Sequence, residues 1–382
     1  MRFLDEFRDP DLALRLVAEI RRTATRRWTL MEVCGGQTHS LLRHGIDAEL
    51  EDQVELIHGP GCPVCVTRAE AIDQAIRLSR LPEVILTSFG DMLRVPGSSG
   101  SLLEARAAGG NVRAVYSPLD AVRIAREQPD RQVVFFAVGF ETTAPATALA
   151  VCQAEQLGLD NFSLLVEHVR VLPAMTRLAA APDCRVDGFL AAGHVCTVTG
   201  FEAYDQFAAA SGMPVAITGF EPVDLLIGIA HCIRELEAGG CRVINGYERV
   251  VRVAGNPAAI GLVERVYRVV DRDWRGLGLI PDGGFGLRDE YERFSADRRF
   301  ADRPFEPRTT VMSPALPLVA PSRCRAGDVL VGRIKPTQCD AFGCGCTPET
   351  PLGAPMVSDE GACAAYYRYA SSGQPPAIES PA

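Results

Sequence analysis

Two stretches of similar construction constrain this chain more than any other part of its sequence. Each begins with an apolar run typical of a short buried strand, at residues 28–33 and 54–57, and each ends in glycine and cysteine. Cys34 precedes two glycines, and Cys62 and Cys65 lie in a Gly-Pro-Gly-Cys-Pro-Val-Cys segment. Glycine after a strand lets the backbone approach a ligand and leaves the cysteine side chain unobstructed. Because a thiolate is a nucleophile and a soft-metal ligand, these cysteines are candidates for catalysis or metal binding.

Four other cysteines of the first 250 residues lie in a different setting. Cysteine is often a small buried hydrophobe, and we predict that role where the surroundings are apolar. This group comprises Cys152, Cys184, Cys232 and Cys241. The first three cysteines instead lie at strand ends, where binding sites form, and the same stretch contains His39, His44 and His58.

Composition excludes several classes of function. The net charge of −9 argues against a nucleic-acid partner, and the single lysine, Lys335, leaves no Walker-type phosphate loop. No apolar run is long enough to span a membrane, and residues 1–6 lack the apolar core of a signal peptide, so we expect a cytoplasmic protein. In a reducing compartment, thirteen cysteines indicate metal or redox chemistry rather than structural disulfides.

Strands, glycine-containing loops and helices alternate regularly, which is the pattern of parallel α/β units. We therefore expect two similar parallel-sheet α/β domains, residues 28–130 and 131–255, that face a cleft. Ligands of such folds bind at the carboxyl ends of strands. The loops predicted to lie there contain Cys34, Cys62, Asp91 with Arg94, Glu141 and His194. Asp91 and Arg94 either line the site or form a solvated turn.

A third unit is expected over residues 256–382, together with the N-terminal helix of residues 1–27. Residues 274–322 have no strong periodicity, which predicts an irregular region built of loops. Five cysteines separated by glycine and proline then indicate a cofactor held by loops: Cys324, Cys339, Cys344, Cys346 and Cys363. Four thiolates suit either structural zinc or an iron–sulfur cluster. The wide spacings favour a 4Fe-4S cluster over the paired knuckles typical of zinc.

Six motifs, in this order along the chain, resemble those of the HypD family of NiFe-hydrogenase maturation factors. They are Cys34-Gly35-Gly36-Gln37-Thr38-His39, Gly59-Pro60-Gly61-Cys62-Pro63-Val64-Cys65, Ser88-Phe89-Gly90-Asp91-Met92, Gly139-Phe140-Glu141-Thr142-Thr143-Ala144-Pro145, Gly193-His194-Val195-Cys196 and Glu360-Gly361-Ala362-Cys363-Ala364-Ala365-Tyr366-Tyr367. The resemblance covers nearly the whole chain, and several motifs are too long for chance agreement.

The resemblance implies two similar α/β domains and a third domain that holds a 4Fe-4S cluster. It implies that Cys34 binds the iron under assembly, and that Cys62 and Cys65 are a redox-active pair close enough to contact the same iron. The implied cluster ligands are Cys324, Cys339, Cys346 and Cys363. His39 is a candidate proton donor or iron ligand, or else a loop histidine with satisfied hydrogen bonds.

The resemblance also implies a specific activity. Proteins of this family form a complex with the chaperone HypC, on which one Fe(II) acquires two cyanides and one carbon monoxide before delivery to the hydrogenase large subunit. HypE donates the cyanide from a thiocyanate on its own C-terminal cysteine. Releasing that cyanide needs electrons, which a cluster linked to the Cys62/Cys65 dithiol could supply. Such a protein is an assembly scaffold with an electron-transfer role rather than a free-standing enzyme.

This chain departs from the family motifs at two positions. Gln37 stands where the family often has histidine, which removes a possible ligand or proton carrier. His39 is then the stronger candidate for that role. Cys344 is an additional cysteine beside Cys346. We prefer Cys346 as the ligand because it precedes Thr347-Pro348-Glu349, as the ligand of the family does.

Two other functions fit parts of the sequence. The chain could be an iron–sulfur thiol–disulfide oxidoreductase that passes electrons through Cys62 and Cys65 to a protein disulfide. It could also be a metal-binding scaffold without turnover. A radical enzyme that uses S-adenosylmethionine is disfavoured because the chain has no Cys-x3-Cys-x2-Cys run.

Overall fold

The computed structural model describes residues 5–302 and 324–369. The strands within these ranges are β1 (Trp28–Glu32), β2 (Val54–His58), β3 (Val84–Ser88), β4 (Val112–Ala114), β5 (Gln132–Gly139), β6 (Phe162–His168), β7 (Gly188–Ala192), β8 (Val215–Thr218), β9 (Val243–Asn245), β10 (Tyr267–Trp274) and β11 (Gly278–Leu287).

The helices alternate with the strands of the two large sheets, and short helices follow near the C-terminus. They are α1 (Pro10–Thr23), α2 (Gly35–Arg43), α3 (Ile46–Glu49), α4 (Pro63–Val66), α5 (Ala69–Ser79), α6 (Leu102–Ala107), α7 (Pro118–Glu127), α8 (Ala144–Gln156), α9 (Val171–Ala179), α10 (Gly193–Thr199), α11 (Glu202–Ser211), α12 (Pro222–Glu237), α13 (Pro257–Val266), α14 (Ala296–Arg299), α15 (Ala326–Leu330), α16 (Ala354–Val357) and α17 (Ala362–Tyr369). In the described residues, no helix is both long and apolar enough to cross a membrane.

Two parallel sheets form the main part of the fold. The first has five strands in the order β2-β1-β7-β8-β9, and the second has four in the order β4-β3-β5-β6. Their central strands are buried on both faces, which explains their continuous apolar sequences. The predicted α/β class is thus confirmed as two parallel sheets with a smaller antiparallel pair.

The strands of each sheet do not follow the expected division near residue 130. β1 pairs with β7, so residues 28–58 share a sheet with residues 188–245, and β3 to β6 form the other sheet between them. The chain therefore leaves the first sheet after β2 and returns to it at β7. The regular alternation of strands, loops and helices predicts α/β units. It does not indicate which strands are neighbours in a sheet, because neighbouring parallel strands need not be consecutive along the chain.

The N-terminal helix packs against the first sheet layer. The apolar face of α1, with Leu16, Val17 and Ile20, shares one core cluster with Ile229 and Ile233 of α12. The sequence predicts that this helix groups with residues 256–382, whereas its contacts are with α12 and the core of the first sheet. It also ends at Thr23, earlier than the predicted residue 27.

Part of the region predicted to be irregular is an antiparallel hairpin of β10 and β11. Trp274 is buried there, and its indole N–H donates to the Gly283 carbonyl at 3.0 Å. Half of the β10 side chains are exposed, and β11 contains several glycines and a proline, so the alternation that predicts a strand is weak. Residues 303–322 of the same prediction lie outside the described residues.

Candidate functional site

Cys34 lies at the carboxyl end of β1 and immediately precedes α2. Two close backbone approaches require glycine around it. A Cβ at Gly35 would lie 2.1 Å from the carbonyl oxygen of Glu360, and a Cβ at Gly61 would lie 2.2 Å from the Cys34 nitrogen. The Gly35 N–H also donates to the Gly61 carbonyl at 3.0 Å. The Cys62 loop and the C-terminal segment therefore both pack directly on the Cys34 loop.

The environment of the Cys34 sulfur favours the protonated thiol in the absence of a cation. Burial, together with the carboxylates of Glu32 and Glu360, raises the pKa of Cys34 to about 12, against the lowering effect of the backbone N–H groups of Gly36 and Gln37. A bound metal cation would reverse this balance, because a metal displaces the thiol proton and is attracted by the same carboxylates.

The histidine beside Cys34 is His194, at the start of α10. Its Nδ1 lies 3.8 Å from the Cys34 sulfur, and its ring packs against Phe220. Burial lowers the pKa of His194 to about 4, so the imidazole is neutral and able to act as a ligand or proton acceptor. The sequence placed the His194 loop at the carboxyl end of a strand, but its role beside Cys34 depends on the pairing of β1 with β7, which the sequence did not reveal.

His39 lies on α2 and faces the C-terminal helix. Its ring contacts Tyr369 edge-on, with ring centroids 5.5 Å apart, and the Asp359 backbone lies within hydrogen-bonding range. Burial lowers the pKa of His39, and its Nε2 has no hydrogen-bond partner among the described residues. Its role as proton donor or ligand stays a prediction.

Glu32, fully buried at the end of β1, organises the loop around Cys34. Its carboxylate accepts the Cys34 N–H at 2.8 Å, accepts a hydrogen bond from the Thr38 hydroxyl and pairs with His58 Nδ1 at 2.8 Å. His58 Nε2 lies 3.0 Å from the hydroxyl of Tyr366 on α17. The C-terminal helix and the Cys34 loop are thus joined through one buried carboxylate.

Gln37 contributes to packing at the base of the same loop. Its amide nitrogen donates to the Thr218 hydroxyl at 2.6 Å and to the Ala191 carbonyl at 3.2 Å, which ties α2 to β8 and β7. Its Oε1 is buried without a partner in the described part of the chain.

Cys62 and Cys65 form a disulfide across the short helix α4, with their Cα atoms 5.3 Å apart. Pro63 occupies the first turn of that helix, and both cysteines are buried. The sequence spacing makes this bond possible, but its redox activity stays a prediction.

Four C-terminal cysteines lie close enough to influence one another. The thiols of Cys324, Cys339 and Cys346 all raise the pKa of Cys363, although burial is the larger cause. Cys344 is exposed and is absent from this set, and the choice of Cys346 as the ligand stays a prediction.

These four cysteines could hold a 4Fe-4S cluster, because a cubane takes each of four cysteines on a different iron. A Cβ at Gly353 would lie 2.3 Å from the Cys324 sulfur, and the Leu352 N–H lies 3.3 Å from the Cys346 sulfur, so the backbone closely encloses two of the thiols.

Helix α16 lies between these cysteines and the disulfide. It directly follows Gly353, and its residues Ala354 and Val357 share an apolar cluster with Cys62 and Cys65. The loop that contains Asp91 and Arg94 also contacts this segment: the Ser358 hydroxyl donates to Asp91 at 3.3 Å, and Arg94 donates to the Val357 carbonyl at 3.0 Å.

Glu141 follows β5 and is buried near Cys196 and Tyr204. One carboxyl oxygen accepts the Val171 N–H at 3.0 Å, and the other has no partner among the described residues. Burial raises the pKa of Glu141 to about 7, despite the opposing effect of the Val171 N–H. The side chain is therefore largely protonated below neutral pH.

Glu141→Gln is expected to increase stability at pH 8 relative to the wild type and to change it little at pH 5. The unfolded chain releases this proton near pH 4.5, whereas the folded chain keeps it to about pH 7, so the contribution of Glu141 to the free energy of unfolding falls as pH rises between these values. The fall amounts to roughly 3 kcal/mol. Urea unfolding at pH 5 and pH 8 measures it, with Glu264→Gln at an exposed position as the control. An equal pH dependence in wild type and Glu141→Gln would contradict the expectation.

Known proteins resemble this chain along nearly its full length. A HypD family model, described as "Hydrogenase formation hypA family", matches residues 11–370. The hydrogenase maturation factors HypD of Rhodobacter capsulatus and Escherichia coli K12 are each 45% identical over 377 residues, which cover 97% of this chain and 98% of theirs. The hydrogenase expression/formation protein HupD of Azotobacter chroococcum is 46% identical over 378 residues, 97% of each chain. These matches confirm the resemblance read from the motifs: the chain belongs to the HypD family of hydrogenase maturation factors.

Proposed function

We propose that this chain is the iron-binding scaffold and redox component on which, together with the chaperone HypC, the Fe(CN)2CO group of the NiFe-hydrogenase active site is assembled. One observation carries the proposal: Cys34 lies beside His194 and under the loop of the Cys62–Cys65 disulfide, at the carboxyl end of the first sheet. The iron is cargo, held during assembly and then passed on towards the hydrogenase large subunit.

The surroundings of Cys34 suit such an iron. Cyanide and carbon monoxide favour low-spin Fe(II), for which a thiolate and a neutral imidazole are suitable protein donors. Glu32 and Glu360, which disfavour the bare thiolate, favour a bound cation. A thiolate from HypC would add a further soft ligand, and Cys62 or Cys65 in reduced form could contribute another.

The Cys62/Cys65 pair is suited to release the cyanide that HypE brings as a thiocyanate. In the dithiol form the pair supplies two electrons and two protons. The sulfur–carbon bond of the thiocyanate breaks, the HypE thiol and hydrogen cyanide are released, and the Cys62–Cys65 disulfide forms. HypE would therefore be a transient partner of this face of the protein.

Cys324, Cys339, Cys346 and Cys363 would hold the 4Fe-4S cluster. When bound, the cluster would supply single electrons, and the return of the Cys62–Cys65 disulfide to the dithiol would take two of them with two protons. The packing of α16 against α4 supports this assignment, because it makes the cluster segment a neighbour of the disulfide. The chain thus acts as an assembly scaffold that transfers electrons, rather than as a free-standing enzyme.

The alternative, an oxidoreductase acting on protein disulfides, is less well supported by the geometry. Cys62 is 3% exposed and Cys65 is 1% exposed. Thiol–disulfide exchange requires one sulfur to reach another, and a protein disulfide cannot approach sulfurs buried to this extent. A short thiocyanate-bearing C-terminal tail has a smaller steric requirement.

Infrared spectra of the protein purified anaerobically with its HypC partner test the proposal. We expect absorption bands of cyanide and carbon monoxide bound to iron. An iron–sulfur protein that passes electrons to disulfides, or a scaffold that binds iron alone, would lack both kinds of band. Their absence from a complex that contains iron would therefore reject the proposal.

The Cys62–Cys65 bond is expected to open and close reversibly. Trypsin cleavage after Arg43 and Arg68 places both cysteines in one peptide, residues 44–68, which contains no other cysteine. We expect alkylation under denaturing conditions to add two labels after anaerobic reduction of the native protein and none after mild oxidation, as measured by the peptide mass. Cys65→Ala is the control and should carry one label after reduction. The same number of labels on the wild-type peptide under both conditions would contradict an electron-relay role.

A further inference from the structure

The turn that contains Arg275 contacts both the helix of the Cys62–Cys65 disulfide and the segment of the cluster cysteine Cys324. No sequence motif marks this arginine. It lies in the turn between β10 and β11, and its backbone N–H donates to the carbonyl of Val66 at 2.8 Å. Val66 follows Cys65 directly and is the last residue of α4, the helix that contains the disulfide. The hairpin turn is therefore fastened to the disulfide helix.

The other side of the same turn packs on the segment of the first cluster cysteine. A Cβ at Gly276 would lie 2.9 Å from the Cα of Gly327, which is in α15, three residues beyond Cys324. The Arg275 guanidinium interacts electrostatically with the Cys324 thiol, and its NH1 donates to the Pro96 carbonyl at 2.8 Å. The hydrogen bond to Pro96 fixes the position of a cationic group beside Cys324.

The charge of Arg275 determines the sign of its electrostatic effect on Cys324. Glu70 and Asp73 of α5 also act on the guanidinium, and burial lowers the pKa of Arg275 from its ordinary high value without removing its positive charge at neutral pH. Because the Arg275 charge favours negative charge at the Cys324 sulfur, removal of the arginine would take that stabilisation away.

We propose that Arg275 is a positioning residue that raises the reduction potential of the cluster from which the Cys62–Cys65 disulfide receives electrons. The inference rests on the proposed function, because it requires the 4Fe-4S cluster at the four cysteines. A reduced cluster carries one more negative charge than an oxidised one, and a nearby fixed cation stabilises the reduced form. The arginine itself neither donates nor accepts an electron.

The test is a redox titration of the purified, cluster-loaded protein followed by electron paramagnetic resonance. In Arg275→Gln, the ratio of reduced to oxidised cluster at a fixed solution potential should fall roughly tenfold, which is a shift to lower potential. Arg275→Lys, which keeps the charge, should remain near the wild type. Arg299→Gln is the matched control, because Arg299 is also partly buried and bonded to a backbone carbonyl but has no cysteine among the groups that act on it.

Each outcome decides between the hypotheses. An unchanged reduction potential in Arg275→Gln would overturn the inference. An equal shift in Arg275→Lys would also overturn it, because the shift would then come from altered packing rather than from loss of charge. Arg275→Met serves as a second neutral variant. If both neutral variants lose the cluster while Arg275→Lys keeps it, a positive charge beside Cys324 is required, as inferred; loss in Arg275→Lys as well would overturn the inference. A wild-type protein without any 4Fe-4S signal would instead reject the proposed function.

Discussion

Replacing Cys34 with alanine is expected to remove the infrared bands of iron-bound cyanide and carbon monoxide and to leave cells without active NiFe hydrogenase. The substitution deletes the thiolate proposed to hold the iron and leaves the His194 ring, whose Nδ1 lies 3.8 Å from that sulfur, without its thiolate partner. Cys34→Ser should fail as well, because a protonated hydroxyl is a poor ligand for this soft site.

The fold of Cys34→Ala should remain intact. The hydrogen bond from the residue 34 N–H to Glu32 uses the backbone and survives the change, as does the contact of Gly35 with Gly61. The loss of one buried sulfur costs on the order of 1 kcal/mol. The variant should therefore keep its 4Fe-4S absorbance and bind HypC, since an interface is distributed over many residues.

Cys232→Ala is the matched control for this experiment. Cys232 is buried like Cys34 but lies in α12, where its thiol faces the Phe189 carbonyl. Its replacement should preserve the cyanide and carbon monoxide bands. Normal bands in Cys34→Ala would mean that the iron lies elsewhere, on Cys62 or Cys65, and loss of the cluster in that variant would mean that the two iron sites are one.

Cys346→Ala is expected to abolish the 4Fe-4S cluster, whereas Cys344→Ala should retain it. Cys346 is buried, and its thiol acts on Cys363 together with those of Cys324 and Cys339, while Cys344 is exposed. We expect about four irons and four sulfides per chain in Cys344→Ala and in the wild type, because a cubane takes four cysteines. Iron and sulfide analysis with visible absorption measures both variants. The full cluster spectrum in Cys346→Ala would contradict this choice of ligand.

The sequence predicted the local parts of the site well for a physical reason. An apolar run followed by glycine predicts a buried strand that ends in an open loop, and β1 and β2 lie where the runs before Cys34 and Cys62 indicated. Helix-start signals are equally local: Ser117 caps α7, and Pro118 lies in its first turn.

The parts that depend on distant pairing were harder to predict. His194 lies beside Cys34 because β7 is the neighbour of β1, a contact between segments about 160 residues apart. The β10–β11 hairpin gave little signal because half of the β10 side chains are exposed and β11 is interrupted by glycines and a proline. Arg275, in the turn of that hairpin, could not be singled out before the turn was placed against α4 and α15.

Mössbauer spectroscopy of the 57Fe-enriched complex with HypC tests the central claim most directly, because it distinguishes the cluster iron from a low-spin Fe(II) centre. The account predicts two iron populations in a ratio of about four to one in a fully loaded complex, the larger from the 4Fe-4S cluster and the smaller from Fe(II) on Cys34. The smaller population should be absent in Cys34→Ala, with the larger one unchanged. A spectrum that contains cluster iron alone in the wild-type complex would contradict the account.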